Sequence, residues 1–285
     1  MVHLCEILNV SRSAYYAWRR DEPGARRRED HRLRPMIRAI FWEHRRRYGA
    51  RRIAAELDAR DEPCSRRRVA RLMEEMELVA IQPRSFRPRT TNSRHTLGYS
   101  PNLLVDRPPP DRINQIWVGD ITYVPLCGGD FLYLAMLMDR FSRRIVGWDL
   151  QDHMQEMLVF AALETAIRLR QPEPGLIHHS DRGGQYAGAA YRRMLARAAM
   201  PQSMSRADDC YDNAFMESCF GTIKTELEMK PYESPEIARK ELPEYIRYYN
   251  IRRRHSALDY LTPQAFEQRQ RVARKGCAPR VARKQ

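Results

Sequence analysis

Residues 82–112 admit no regular secondary structure, and that stretch decides how the rest of the chain can fold. Proline recurs among arginine, serine and threonine up to Arg107-Pro108-Pro109-Pro110. Each proline removes a backbone donor and steers its predecessor away from helical geometry. We therefore expect a linker here, with separate folded parts on either side. The hydrophobic pattern agrees, because its period changes across the stretch.

Before the linker the period is helical. Leu4–Trp18 begins with an apolar helical run and then offers Ser11 or Ser13 as an N-cap for an aromatic helix. From Pro35 to Ala80 the pattern predicts helices broken at Tyr48-Gly49 and at Asp61–Cys64. Arg51, Arg52, Ile53 and Leu57 share one helix. Ser65 caps another, which carries Val69, Leu72, Met73 and Met76 on one face. Such a region, residues 1–81, suits a helix-turn-helix. Its later helix would present Arg66, Arg67 and Arg68 near its N-terminus to a DNA groove, although arginines on an amphipathic helix also serve simply as its wet face.

After the linker the period becomes two. Gln115–Val124, Phe131–Asp139 and Arg143–Leu150 read as strands, with Cys127-Gly128-Gly129-Asp130 as the first turn. A helix over Gln155–Arg170, a strand over Leu176–His179, a helix over Gly188–Ala199 and a strand over Gln202–Met204 follow. A loop through Ala207–Asp212 then leads to helices over Ala214–Glu228 and Pro235–Asn250. Three antiparallel strands followed by alternating helices and strands is the order of an α/β ribonuclease H-like domain, a mixed five-stranded sheet with flanking helices. We assign it to 113–268, leaving 269–285 as a basic tail.

The charge of +14 is unevenly spread. Residues 1–100 hold 23 arginines and no lysine against 13 acids, and residues 269–285 hold seven basic residues and no acid. The segment between is slightly acidic. Basic arms around a carboxylate-bearing centre suit a protein that neutralises phosphates, and DNA is the expected partner. The six cysteines (Cys5, Cys64, Cys127, Cys210, Cys219, Cys277) form no pair with zinc-site spacing and are read as reduced thiols. No apolar run is long enough for a membrane span, so we expect no membrane partner and a cytoplasmic, nucleoid-associated protein.

Three acids stand out within this frame. Asp120 sits mid-strand in the apolar stretch WVGDITY, where an uncompensated charge is costly. Asp181 follows the strand ending at His179, in HSDRGGQY, at the kind of strand end where α/β sheets bind ligands. Glu217 lies in the first turn of a helix beginning near Asn213, and Lys224 falls on the same face two turns later. Carboxylates brought together from distant positions are what two-metal phosphoryl transfer requires, since the cations stand about 3.5 to 4 Å apart. Each acid alone also has a plain structural reading: edge charge, turn former or helix-dipole partner. His178 and His179 are read as packed strand-end residues, and Trp117 and Trp148 as core.

Together these segments resemble the catalytic boxes of the DDE transposases of bacterial insertion sequences, in the retroviral-integrase superfamily. The resemblance is carried by WVGDITYVP, HSDRGGQY, YDNAFMESCFGTIKTE and the closing YYNIRRRHSALDYLTP. Thirty-five residues separate Asp181 from Glu217, the spacing that names the group, and Lys224 stands where the family has a basic residue. Tyr48–Ile53 and Ser65–Met73 resemble the family's helix-turn-helix, and Val10–Trp18 is similar to the start of its second-frame product.

This likeness implies a transposase performing metal-dependent nicking and strand transfer at insertion-sequence ends. Asp120, Asp181 and Glu217 would be both the catalytic residues and the ligands of two Mg²⁺ ions, with Mn²⁺ an acceptable substitute. Lys224 would meet a phosphate, with Glu228 as its structural alternative partner. Arg51, Arg52, Arg66, Arg67 and Arg68 would contact DNA. The likeness also implies a homo-oligomer on transposon ends and target DNA, and either the first-frame product or a frameshift fusion with it as partner. Two rivals stay open: a non-catalytic DNA-binding regulator and a structure-specific nuclease on the same fold.

Overall fold

Residues 2–19, 24–82, 98–206 and 214–276 are described by the computed structural model. The chain divides into two units, Met1–Gln82 and Pro83–Gln285.

In the first unit, two helix starts are set by serine side chains that satisfy free N–H groups, whereas α3 and α4 begin after Gly24 and Gly49 without a side-chain cap. Helices α1 (Val2–Ile7) and α2 (Arg12–Arg19) meet at Ser11, whose Oγ accepts from Ala14 N at 3.1 Å, so Ser11 rather than Ser13 is the cap. Then come α3 (Ala25–Glu43), α4 (Ala50–Asp58) and α5 (Arg66–Glu75). Ser65 caps α5 by accepting from Arg68 N at 3.3 Å. Leu33, Ile37 and Phe41 of α3 bury against Ile53 and Leu57 of α4 and against Val69 and Leu72 of α5. Helix α3 starts ten residues before Pro35, the start that its sequence suggested. Pro35 is exposed, so water can meet the carbonyl its missing N–H leaves bare, and the apolar stripe runs straight past it.

The second unit is built on one mixed sheet. Strands β1 (Ile116–Pro125), β2 (Phe131–Asp139) and β3 (Ile145–Gln151) pair antiparallel. Helix α6 (Glu156–Arg170) then crosses to β4 (Ile177–Ser180), parallel to β1, and α7 (Gly184–Ala187) and α8 (Ala189–Arg197) cross to β5 (Gln202–Met204), parallel to β4. The strand order is β3-β2-β1-β4-β5. Helices α9 (Ala214–Glu226), α10 (Pro235–Ile251) and α11 (Pro263–Gly276) complete the unit.

Alternation along β1 gives the sheet two dry faces. Ile116, Val118 and Val124 join a core with Met216, Phe220 and Ile223 of α9 and Leu242 and Ile246 of α10. Trp117, pointing the other way, joins Leu158 and Leu163 of α6 and Tyr191 and Leu195 of α8. Gly147 of β3 is required there, because a Cβ would stand 2.3 Å from the Ala162 carbonyl oxygen of α6.

Two boundaries differ from expectation. Of the linker, residues 83–97 lie outside the described residues, but 98–112 belong to the second unit. Ser203 Oγ accepts from Leu103 N at 2.9 Å, and Ser100 Oγ donates to Gln202 Oε1 at 2.8 Å, so this irregular strap covers the β5 edge. The basic tail begins inside α11, whose start is marked by Thr262 Oγ1 accepting from Ala265 N at 3.1 Å. Residues 277–285 lie outside the described residues.

Candidate active site

Sheet register explains why Asp120 and Asp181 meet. Strands β1 and β4 are parallel with Gly119 opposite Ser180, so the next residue of each chain is Asp120 and Asp181. Asp120 shares its side of β1 with Val118 and Thr122, the side that α9 covers. Its Oδ1 accepts from Ile121 N at 2.8 Å. Asp181 turns its Oδ1 onto Gly183 N at 3.0 Å, a turn that leaves the strand end open above the sheet.

The electrostatics of this corner are unbalanced. Burial pushes the Asp120 carboxyl well above the usual carboxylate range, and the negative charges of Asp181 and then Glu217 add to the shift. The Ile121 amide and the Lys224 ammonium oppose it without prevailing. Lys224, half-buried on α9, has its own pKa lowered by burial and raised by Asp120. Glu217 is exposed in the first turn of α9. Asn213, expected on its face, lies outside the described residues. The structure thus brings Asp181, Glu217 and Lys224 within electrostatic reach of Asp120. Among the described residues, however, no three His, Cys, Asp or Glu side chains are close enough to hold a metal ion.

On the opposite face of the sheet lies a neutral pair. His178 Nε2 and the Tyr191 hydroxyl share a hydrogen bond of 2.9 Å, and burial holds the His178 pKa down at about 3. Gly119 makes room for this pair, since a Cβ would come within 3.2 Å of His178 Nε2. His179 hydrogen-bonds Ser203 at 2.8 Å and Ser205 at 3.3 Å. Both histidines are fully buried, as packed strand residues should be. Burial pushes the Cys219 thiol up to about 11, which disqualifies it as a nucleophile near neutral pH.

Sequence reasoning passed over the groups that anchor α9 and α11. Arg253, buried, donates through Nη2 to Glu226 Oε1 at 2.8 Å, and the Tyr245 hydroxyl donates to Glu226 Oε2 at 2.9 Å. Arg170 donates to both oxygens of the buried Glu267, at 2.7 and 2.8 Å, and Ser142 Oγ donates to Glu267 Oε1 at 2.8 Å. The available signal was Arg253 within RRRH: of three adjacent arginines, the middle one points inward.

The arginines proposed for DNA divide into two groups. Arg51, Arg66 and Arg67 are exposed. Arg68 instead donates to Asp30 Oδ1 at 2.7 Å, Glu29 Oε2 at 2.6 Å and the Arg26 carbonyl at 3.1 Å. Arg52 donates to the Arg47 carbonyl at 3.2 Å and lies 5.6 Å over the Tyr48 ring. Arg52 and Arg68 are therefore held in part by the fold itself, Arg68 by three of its five N–H donors and Arg52 by a hydrogen bond beside its ring contact.

Residues 110–210 and 199–263 match the Integrase core domain, and residues 27–86 match the HTH-like domain. An uncharacterized 31 kDa protein of insertion element IS600 from Shigella sonnei is 41% identical over 268 residues, covering 93% of this chain and 98% of that one. The transposase for insertion sequence element IS904 from Lactococcus lactis is 40% identical over 82% of this chain and 93% of its own. Transposase InsF for IS3A from Escherichia coli is 37% identical over 93% and 92%. Among solved structures, the HTLV-2 integrase catalytic core in complex with magnesium covers 55% of this chain and 97% of its own, at 17% identity and a TM-score of 0.42. No described helix is long and apolar enough to cross a membrane. With relatives 37–41% identical over most of both chains and both matched domains in place, the chain belongs to the transposases of insertion sequences, polynucleotidyl transferases of DNA transposition and integration.

Proposed function

We propose that Asp120, Asp181 and Glu217 are the catalytic carboxylates and hold two divalent cations, Mg²⁺ with Mn²⁺ as substitute, for nicking and strand transfer at the ends of an insertion sequence. One observation carries this reading: the β1/β4 register sets the half-buried Asp120 beside Asp181, and the negative charges of Asp181 and Glu217 both raise its pKa while Lys224 opposes them. Such an arrangement is costly unless a cation joins it. The donors are all carboxylate oxygens, the ligand type hard divalent cations take. When bound, the ions supply Lewis acidity at the scissile phosphate and lower the pKa of an attacking oxygen. The three acids as they stand do not form a closed ligand set, and side-chain rearrangement among them accompanies assembly of the site.

The chain's own groups then divide the remaining work. Lys224, on the Glu217 face of α9, neutralises a phosphate beside the scissile bond. The neutral His178–Tyr191 pair packs against Gly119 from the opposite face of the sheet and fixes the strand that carries Asp120. Arg51, Arg66 and Arg67 contact the backbone of the element ends, and the working particle is a homo-oligomer on DNA, alone or with the first-frame product or a fusion to it. Incubating the full chain with labelled element ends in Mg²⁺ tests the whole reading. Joined products are expected; cleavage without joining would make it a nuclease, and binding without chemistry would leave a regulator.

A further inference from the structure

The turn between β2 and β3 holds three arginines, and they are treated differently by the fold. Arg144 donates to the buried Glu267 at 2.9 Å. Arg140 and Arg143 instead lie against one aromatic ring, with their guanidinium carbons 4.7 and 4.1 Å from the centroid of Phe215, in the first turn of α9. Neither makes an ion pair with a carboxylate of the described residues. Both are half-buried, and burial lowers the pKa of each.

The platform beneath them is rigid. Asp139, fully buried, accepts backbone N–H bonds from Asn114 at 2.6 Å and from Phe141 and Ser142 at 2.9 Å. Arg140 N bonds the Ile116 carbonyl at 3.0 Å, and Arg143 N bonds the Asp139 carbonyl at 2.8 Å. Two like charges are therefore partly stripped of water and held side by side on a fixed turn. A ring face offsets part of that repulsion, but it supplies no anion. What completes such a pair is an acceptor able to take several N–H bonds at once, and paired guanidiniums match a phosphate.

We infer that Arg140 and Arg143, clasped on Phe215, form a binding site for a backbone phosphate of the DNA held by the core. The site lies at the sheet end where β1 begins, so its phosphate belongs to the duplex beyond the scissile position rather than to the reacting bond. Because Phe215 precedes Glu217 by two residues, an occupied site also braces the turn that carries Glu217. The inference rests on DNA as the substrate and not on the metal ligands.

Binding of a labelled random-sequence duplex by the full chain, in EDTA and across a KCl series, tests it independently of any metal. The Arg140→Gln/Arg143→Gln protein should show a slope of log K against log salt shallower by about 1, the change expected for one lost phosphate contact. Arg140→Lys/Arg143→Lys, which keeps the charge, should restore the slope. An unchanged slope in a glutamine variant that melts like wild type overturns the site. In the wild-type protein, phenylglyoxal labelling read by peptide mass should show Arg140 and Arg143 protected by the duplex and Arg144 indifferent to it. Equal labelling with and without DNA overturns the inference even if the glutamine variant does not fold.

Discussion

Asp30 in the helical unit and Asp120 in the sheet are both acids that the fold withdraws from water, and their surroundings could hardly differ more. Asp30 accepts from Arg68 Nε at 2.7 Å and from Arg71 Nη2 at 2.6 Å. Burial alone would raise its pKa, but the hydrogen bonds from Arg71 and Arg68 hold it below the ordinary carboxylate value. Asp120 receives one backbone N–H and looks at two more carboxylates, and its pKa goes up. A withdrawn acid given cations by its own fold is architecture. One given further acids is poised for something the chain does not contain, which is why strongly perturbed groups mark functional sites.

The largest expected effect separates the two by activity. Asp120→Asn, Asp181→Asn or Glu217→Gln should each lower strand transfer by roughly 10²–10³-fold or more while leaving duplex affinity within about twofold, since each removes one electrostatic stabiliser of the transition state. Near wild-type joining by any of them removes that residue from the site. Asp30→Ala should do the reverse: unchanged chemistry per folded molecule, with a melting temperature lower by roughly 5 °C in the helical unit. The drop is moderate because Arg68 keeps Glu29 and Arg71 keeps Glu75. A neutral melting curve for Asp30→Ala would mean that the ion pairs around α5 do little, and the contrast between the two aspartates would fail.

How far this contrast could be read from the sequence differs between the units. The sheet was legible because period-two patterning and the strand-end position of Asp181 are local signals, and Asp120 follows from its place inside an apolar word. Most expected strands start or end within a residue or two of the observed ones. The pairing of Asp30 with Arg68 and Arg71 was not legible, since it joins residues about forty apart through the packing of α3 on α5, which no local period encodes. Arg68 looked like its neighbours Arg66 and Arg67, and the turn of the helix alone decides which one faces Asp30. Helix α11 was missed for a related reason: a basic run reads as a tail until Thr262 and Pro263 are recognised as its start.

A smaller effect sharpens the comparison through the metal. If Asp120 is costly as a bare carboxylate, adding Mg²⁺ should stabilise the sheet unit, because a ligand that binds the folded state alone adds about 2.7 kcal/mol at a hundredfold excess over its Kd. Melting should move up by a few degrees in wild type and much less in Asp120→Asn, while Asp30→Ala should respond like wild type. A shift of the same size in Asp120→Asn would place the ion elsewhere.

The smallest effect is a difference in the sign of pH dependence, and it tests the electrostatics without any catalysis. In EDTA the raised pKa of Asp120 means that the folded state binds the proton more tightly than the unfolded state, whose value is near 3.8. Its contribution to stability is fully present below 3.8 and is lost as pH rises through the folded value. The lowered pKa of Asp30 works the other way: its contribution is present above 3.8 and is lost as pH falls through a folded value below that. Wild type should therefore lose stability relative to Asp120→Asn as pH climbs from 4 through the mildly acidic range, and relative to Asp30→Asn only as pH drops below about 3.8. Chemical denaturation at a series of pH values reads both differences. Parallel pH profiles for wild type and Asp120→Asn would show that neither burial nor the charges of Asp181 and Glu217 raise the Asp120 pKa measurably, and the like-charge cluster would lose its physical basis.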